Sequence, residues 1–154
     1  MFNIGIDFGS TYTTVSAYRN EMEKLETVVL GLGTPYIPTL TGGRVGSLDG
    51  LRYGAAAKGI MGRKDHVIYK AFKMLLTEKK TELLRERGYT EEITPAVVAE
   101  KFLTDLIQRV LEHYGEKEID RVVIGAPEIW FKGVDSLSGR SILRNIFEKM
   151  DSVK

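Results

Sequence analysis

Hydrophobic and polar positions divide the first part of the chain into strands. Met1 to Phe8 is an apolar run and reads as a buried strand, with Asp7 near its end. Thr13 to Arg19 reads as the next strand, placing Val15 and Ala17 on one face and Thr14, Ser16 and Tyr18 on the other. Only a short glycine-containing turn separates the two, which predicts an antiparallel hairpin. The polar stretch Asn20 to Lys24 leads to a third predicted strand, Leu25 to Leu32. Three sequential strands on short links make a meander.

Gly31, Gly33 and Pro35 end that region. Residues 36–54 are rich in Gly, Thr and Pro, with short strand candidates at Tyr36 to Leu40 and Leu51 to Tyr53. Gly42-Gly43 and Asp49-Gly50 read as turns. Ala55 to Met61 favours a helix. Val67 to Glu86 is charged and predicted to be partly helical, with Leu75, Leu76, Leu83 and Leu84 as apolar anchors and Gly88 closing it. Thr94-Pro95 is a helix start, with threonine as cap and proline at the first helical position. The helix runs to Tyr114 and stops at Gly115. Its wide stripe of Val98, Phe102, Leu106 and Val110, with Leu103, Ile107, Leu111 and Tyr114 beside it, predicts a helix lying on a sheet. Ile119 to Gly125 is almost continuously apolar and predicts a central strand buried on both faces, ended by Ala126-Pro127. A last helix is expected over about Ser138 to Met150. The expected class is α/β: a mixed sheet with an N-terminal antiparallel meander and covering helices.

Composition narrows the functional classes. The chain has 154 residues, 43% hydrophobic and 28% charged, with a formal net charge of +1. That is enough for one domain with a sizeable core, and the charge balance favours neither nucleic acid nor an acidic membrane as partner. The absence of cysteine excludes disulfides and thiolate zinc sites. His66 and His113 are isolated and read as surface residues. No apolar run approaches the ~20 residues of a membrane helix, and the strand-like N-terminus is unlike a signal peptide, so a cytoplasmic location is expected.

The candidate chemistry lies in Ile4 to Val15. A strand carries Asp7 to its end, Gly9 turns the chain, and Ser10, Thr11 and Tyr12 add hydroxyls. Backbone N–H groups and hydroxyls donate to phosphate oxygens, and a carboxylate suits Mg²⁺, which takes oxygen ligands and keeps several waters. Asp-x-Gly is also ordinary turn chemistry, but a turn needs no such cluster of hydroxyls. The segment is neither G-x-x-x-x-G-K-[ST] nor G-x-G-x-x-G. Lys70 and Lys73, set among apolar residues, have the ordinary reading of solvated lysines with buried stems. Trp130 and Phe131 read as packing residues, and the Lys and Glu run from Glu78 to Glu92 as a solvated face.

Gly5-Ile6-Asp7-Phe8-Gly9-Ser10-Thr11-Tyr12 resembles the first phosphate motif of the actin, sugar-kinase and heat-shock chaperone superfamily. Further segments follow in the order seen in the seventy-kilodalton heat-shock (DnaK-like) chaperones. Ile37-Pro38-Thr39 resembles their Pro-Ser/Thr segment, Tyr53 to Lys58 their Gly-x-x-Ala stretch, and Phe72 to Leu76 their Lys-Arg-Leu-Ile segment. Thr94-Pro95 with its helix, and Val122 to Pro127, resemble their helix and the strand ending in Val-Pro-Ala. The resemblance spans about the whole chain, more loosely after residue 128.

The resemblance implies an actin-like ATPase (ribonuclease H-like) lobe, with residues 1–35 and 94–154 as core subdomain and 36–93 as peripheral subdomain. It implies ATP or ADP with Mg²⁺ as cofactors. Asp7 would approach the metal through water and orient the attacking water. Gly9, Ser10, Thr11 and Tyr12 would contact the phosphates, and Lys73, or Lys70 in its place, would be the catalytic lysine. The second phosphate motif (Asp-x-Gly-Gly-Gly-Thr), the adenosine motif, the catalytic carboxylate after the Pro-containing strand and the peptide-binding domain have no counterpart in the sequence. The expectation is therefore the first lobe of a longer ATP-driven chaperone, inactive alone, whose partners would be the second lobe, the peptide-binding domain, a co-chaperone and a nucleotide-exchange factor. Two alternatives share the fold: a sugar- or carboxylate-kinase lobe, against which Tyr12 and Phe72-Lys73 weigh, and a non-catalytic actin-fold assembly module.

Overall fold

A computed structural model describes residues 1–154 except 21–22, 32, 71 and 126–133, and does not describe the side chains of 134–138. The fold is mixed α/β. Strands β1 (Phe2–Phe8) and β2 (Tyr12–Arg19) form the expected antiparallel hairpin, with Asp7 opposite Thr14 and Phe8 opposite Thr13. Two short strands, β3 (Glu26–Thr27) and β4 (Ile37–Pro38), also pair with β2. A second sheet contains β5 (Thr41–Arg44), β6 (Arg52–Tyr53) and β7 (His66–Tyr69), in the order β6-β5-β7. Helix α1 (Ala55–Lys58) lies between β6 and β7, and α2 (Thr81–Glu86) and α3 (Pro95–Tyr114) follow β7. Strand β8 (Arg121–Ile124) then runs parallel to β1, with Gly5 opposite Val123, and α4 spans Val134–Glu148. The main sheet is therefore mixed, antiparallel at the hairpin and parallel at β8.

Helix α3 covers one face of that sheet. The Thr94 hydroxyl accepts from the Val97 N–H at 3.2 Å, which satisfies one of the free donors at the helix start. Gly115 closes the helix in the left-handed conformation at φ 66°, its N–H reaching the carbonyls of Glu112 and Leu111. The expected apolar stripe is buried and joins Phe2, Ile4, Ile6 and Phe8 of β1 in one core with Val15 and Ala17 of β2. Two ring contacts fix the direction of the helix. Phe2 meets Tyr114 with ring centroids 5.3 Å apart, and Phe8 meets Phe102 at 6.0 Å. Helix and strand therefore run in opposite directions. The lengths agree: about 18 Å of helix against about 20 Å of strand between the two contacts.

Several local expectations change. The third strand, expected over Leu25 to Leu32, shrinks to Glu26–Thr27, with Leu32 outside the described residues. Its apolar residues do not share a face: Val28 is buried, whereas Leu25 is 68% exposed. Strand β8 is not central among the described residues but stands at the end of the order β3-β2-β1-β8. Val122 and Ile124 pack on the core, while Arg121 and Val123 are exposed on the other side. A continuous apolar run thus fills only one face here.

Gly42-Gly43 is not a turn but the buried middle of β5. A Cβ on Gly42 would stand 2.8 Å from Ile68 Cδ1, and one on Gly43 would stand 2.7 Å from Leu51 Cδ2. The two glycines are packed beneath neighbouring side chains rather than placed at a turn. The predicted partly helical region from Val67 begins instead as β7, where Val67, Ile68 and Tyr69 pair with β5. Among the described residues, helix survives there only as Thr81–Glu86. The helix expected from Ala55 to Met61 is a single turn, followed by Gly59 and by Gly62 at φ 82°. The last helix starts earlier than expected, at Val134. Ala126-Pro127, Trp130 and Phe131 lie outside the described residues.

Candidate functional site

The site is built at the end of β1, where Asp7, Phe8 and Gly9 leave the sheet. The alternation that buries Ile6 and Phe8 leaves Asp7 exposed. The next residues turn sharply: the Gly9 N–H donates to the Asp7 carbonyl at 3.1 Å. A Cβ on Gly9 would lie 2.2 Å from the Tyr12 carbonyl oxygen, a separation no side chain tolerates. Ser10, Thr11 and Tyr12 are exposed, with Tyr12 edge-on to Tyr36 at 6.0 Å. The N–H groups of Ser10 and Thr11 make no hydrogen bond among the described residues. The turn therefore offers free donors and hydroxyls beside an exposed carboxylate.

The inner side of the turn is tied down. The Thr39 hydroxyl donates to the Gly9 carbonyl at 2.9 Å, and the Thr39 N–H donates to the Thr11 carbonyl at 2.9 Å. Thr13 and Thr39 hydroxyls are 2.8 Å apart and both are buried. A hydroxyl has one proton. Thr39 uses its proton on Gly9, so Thr13 is the donor between the two.

Lys73 reaches this corner from 65 positions along the chain, its Nζ donating to the Phe8 carbonyl. Phe72 explains how. Its buried ring sits 6.0 Å from that of Phe8 and 5.4 Å from that of Phe102, anchoring the 72–77 turn against the end of β1. With Phe72 in the core, the following residue emerges at the strand end. The Lys73 ammonium lies 5.6 Å from the Phe8 ring centroid, a cation–π distance. Burial pushes its pKa below the ordinary lysine value, while the charge of Asp7 pulls the other way. The nearby Asp7 carboxylate and this half-buried ammonium form one electrostatic corner.

Lys70 lies elsewhere. It is exposed, and its contribution to the fold is a backbone carbonyl that accepts from the Tyr89 hydroxyl at 3.2 Å. Of the two candidate lysines, the fold brings Lys73 to Asp7 and the glycine turn. Thr39 and Thr13 were not among the expected site residues. The signal for Thr39 was present in Ile37-Pro38-Thr39, a segment noted for resemblance alone. The described residues contain no group of three or more His, Cys, Asp or Glu that could hold a metal ion. Also among them, no helix is long and apolar enough to cross a membrane. No protein-family model matches the chain, and no curated protein matches it.

Proposed function

We propose that the chain is the first lobe of the nucleotide-binding domain of an ATP-driven chaperone of the seventy-kilodalton heat-shock type, with an actin-like ATPase fold. One observation carries the reading: Asp7, the glycine turn and Lys73, distant in sequence, meet at the end of β1. The donor set fits a magnesium nucleotide. An exposed carboxylate suits a metal that keeps most of its waters. Free N–H groups and hydroxyls at Ser10 and Thr11, with the hydroxyl of Tyr12, suit phosphate oxygens. The bound metal would supply charge neutralisation on the phosphates. Phosphoryl transfer depends chiefly on positioning and charge stabilisation, so the chain's own part is definite. Asp7 orients a water, the turn holds phosphate, and Lys73 sets a positive charge against both.

The reading includes a second phosphate loop on an opposing lobe, and the sequence contains no Asp-x-Gly-Gly-Gly-Thr segment. The chain alone is then a half-site. Calorimetric titration with Mg-ATP and Mg-ADP tests it. Magnesium-dependent binding should weaken tenfold or more, about 1.4 kcal/mol, in Asp7→Asn and in Lys73→Met. Lys70→Met should bind like wild type. Hydrolysis by the chain alone should be weak or undetectable. Robust turnover that disappears in Asp7→Asn would refute the half-site, and no binding at millimolar nucleotide would refute the nucleotide reading. Phosphate transfer to a sugar would move the assignment to the kinase branch. Concentration-dependent self-association without nucleotide binding, measured by sedimentation, would favour an assembly module.

A further inference from the structure

We propose that Thr39 is a positioning residue for the phosphate turn, holding its carbonyls inward so that its N–H groups face outward; this rests on the nucleotide reading above. In a planar trans peptide the C=O of one residue and the N–H of the next point in opposite directions, and no cis peptide is present among the described residues. Thr39 takes the Gly9 carbonyl with its hydroxyl and the Thr11 carbonyl with its N–H. The N–H of Ser10 is therefore directed away from Thr39, and so is that of Tyr12. An anion-binding turn needs this arrangement, since a carbonyl turned outward would repel phosphate.

The brace is itself held. Thr13 donates to the Thr39 hydroxyl from β2, and both side chains are buried, at 0% and 1% exposure. Tyr12 pairs with Pro38 and Thr13 with Ile37, which fixes the backbone on either side. Removing the Thr39 hydroxyl leaves the Gly9 carbonyl and the Thr13 hydroxyl without their partner in a buried position, where unmet hydrogen-bonding groups are costly. The turn then relaxes by rotating its first peptide.

The test compares Thr39→Val, which keeps the shape and loses the hydroxyl, with Thr39→Ser, which keeps the hydroxyl. In ¹⁵N relaxation the Ser10 amide should be rigid in wild type and in Thr39→Ser, with an order parameter about 0.85, and should fall below about 0.6 in Thr39→Val. Mg-ATP should bind about tenfold more weakly to Thr39→Val, and Thr39→Ser should restore the affinity. Unchanged order at Ser10 in Thr39→Val would overturn the proposal, as would a serine variant as loose as the valine one. If wild type binds no Mg-ATP, the nucleotide reading fails while the amide measurement still decides the brace. Should Thr39→Val not fold, the Thr39 hydroxyl proton of the wild-type chain decides: slow exchange supports the brace, and fast exchange overturns it.

Discussion

Phe72 is the residue on which the meeting of Lys73 with Asp7 depends, and Phe72→Ala tests that dependence. The ring is fully buried between Phe8 and Phe102. Truncating a buried phenylalanine to alanine costs about 3–5 kcal/mol, the sum of lost transfer energy and the cavity left behind. The two ring pairs account for about 0.5–1.5 kcal/mol each within that sum. Against a total stability of about 5–15 kcal/mol, the variant remains folded only if the wild type is well above the lower limit. Urea unfolding followed by circular dichroism measures the loss. With a slope of about 2 kcal/mol/M, the midpoint should fall by about 2 M. Phe72→Leu keeps most of the volume and should cost about 1.5 kcal/mol or less. That milder variant separates anchoring from stability, because it stays folded while the Lys73 turn loses its aromatic contacts. Its Lys73 pKa should move back toward the ordinary value. A midpoint shift for Phe72→Ala under about 0.5 M, equivalent to about 1 kcal/mol, would refute the core role. An unchanged Lys73 titration in a folded Phe72→Ala would refute the anchoring role.

Three further outcomes follow from the same geometry. Gly9→Ala should force the backbone at Tyr12 to move, because the new Cβ meets its carbonyl oxygen at 2.2 Å; the expected cost is about 1–3 kcal/mol, with nucleotide binding lost and the helical circular dichroism retained. Lys73 deprotonates below the ordinary lysine value, so Mg-ATP affinity should decline with rising pH before ordinary lysines titrate, and Lys73→Met should abolish that decline. Absorbance titration of the seven tyrosines should find those of Tyr53, Tyr69, Tyr89 and Tyr114 ionising late, because burial raises each. For Tyr89 the folded state keeps its proton after the unfolded chain has lost it. Its contribution to stability is therefore complete below the ordinary tyrosine value of about 10 and declines as pH rises above it; Tyr89→Phe should flatten that decline in a pH series of urea midpoints.

Local chemistry determined much of this protein from its sequence. Thr94, Pro95 and Gly115 mark α3 because caps act within a turn of the residues that carry them, and all three occupy those places. The β1–β2 hairpin was equally legible, since alternation sets the face of each strand and Gly9 permits the short turn. Asp7 could be named as a candidate because it ends an apolar strand next to Gly9 and three hydroxyl residues, all neighbours in sequence. Tertiary structure decided what depends on distant partners. Gly42-Gly43 reads as a turn in sequence and is a strand in the fold, because its pairing with β7 and its packing under Ile68 and Leu51 come from other segments. The apolar run at β8 has one buried face because its neighbours, not its own composition, set its cover. Neither Lys70 nor Lys73 is distinguished by sequence spacing. Phe72 distinguishes them by entering the core beside Phe8, and Thr39, just after β4, joins the β1–β2 turn through hydrogen bonds to Gly9 and Thr11. Side-chain type is written locally, but the meeting of two side chains depends on how the chain between them packs.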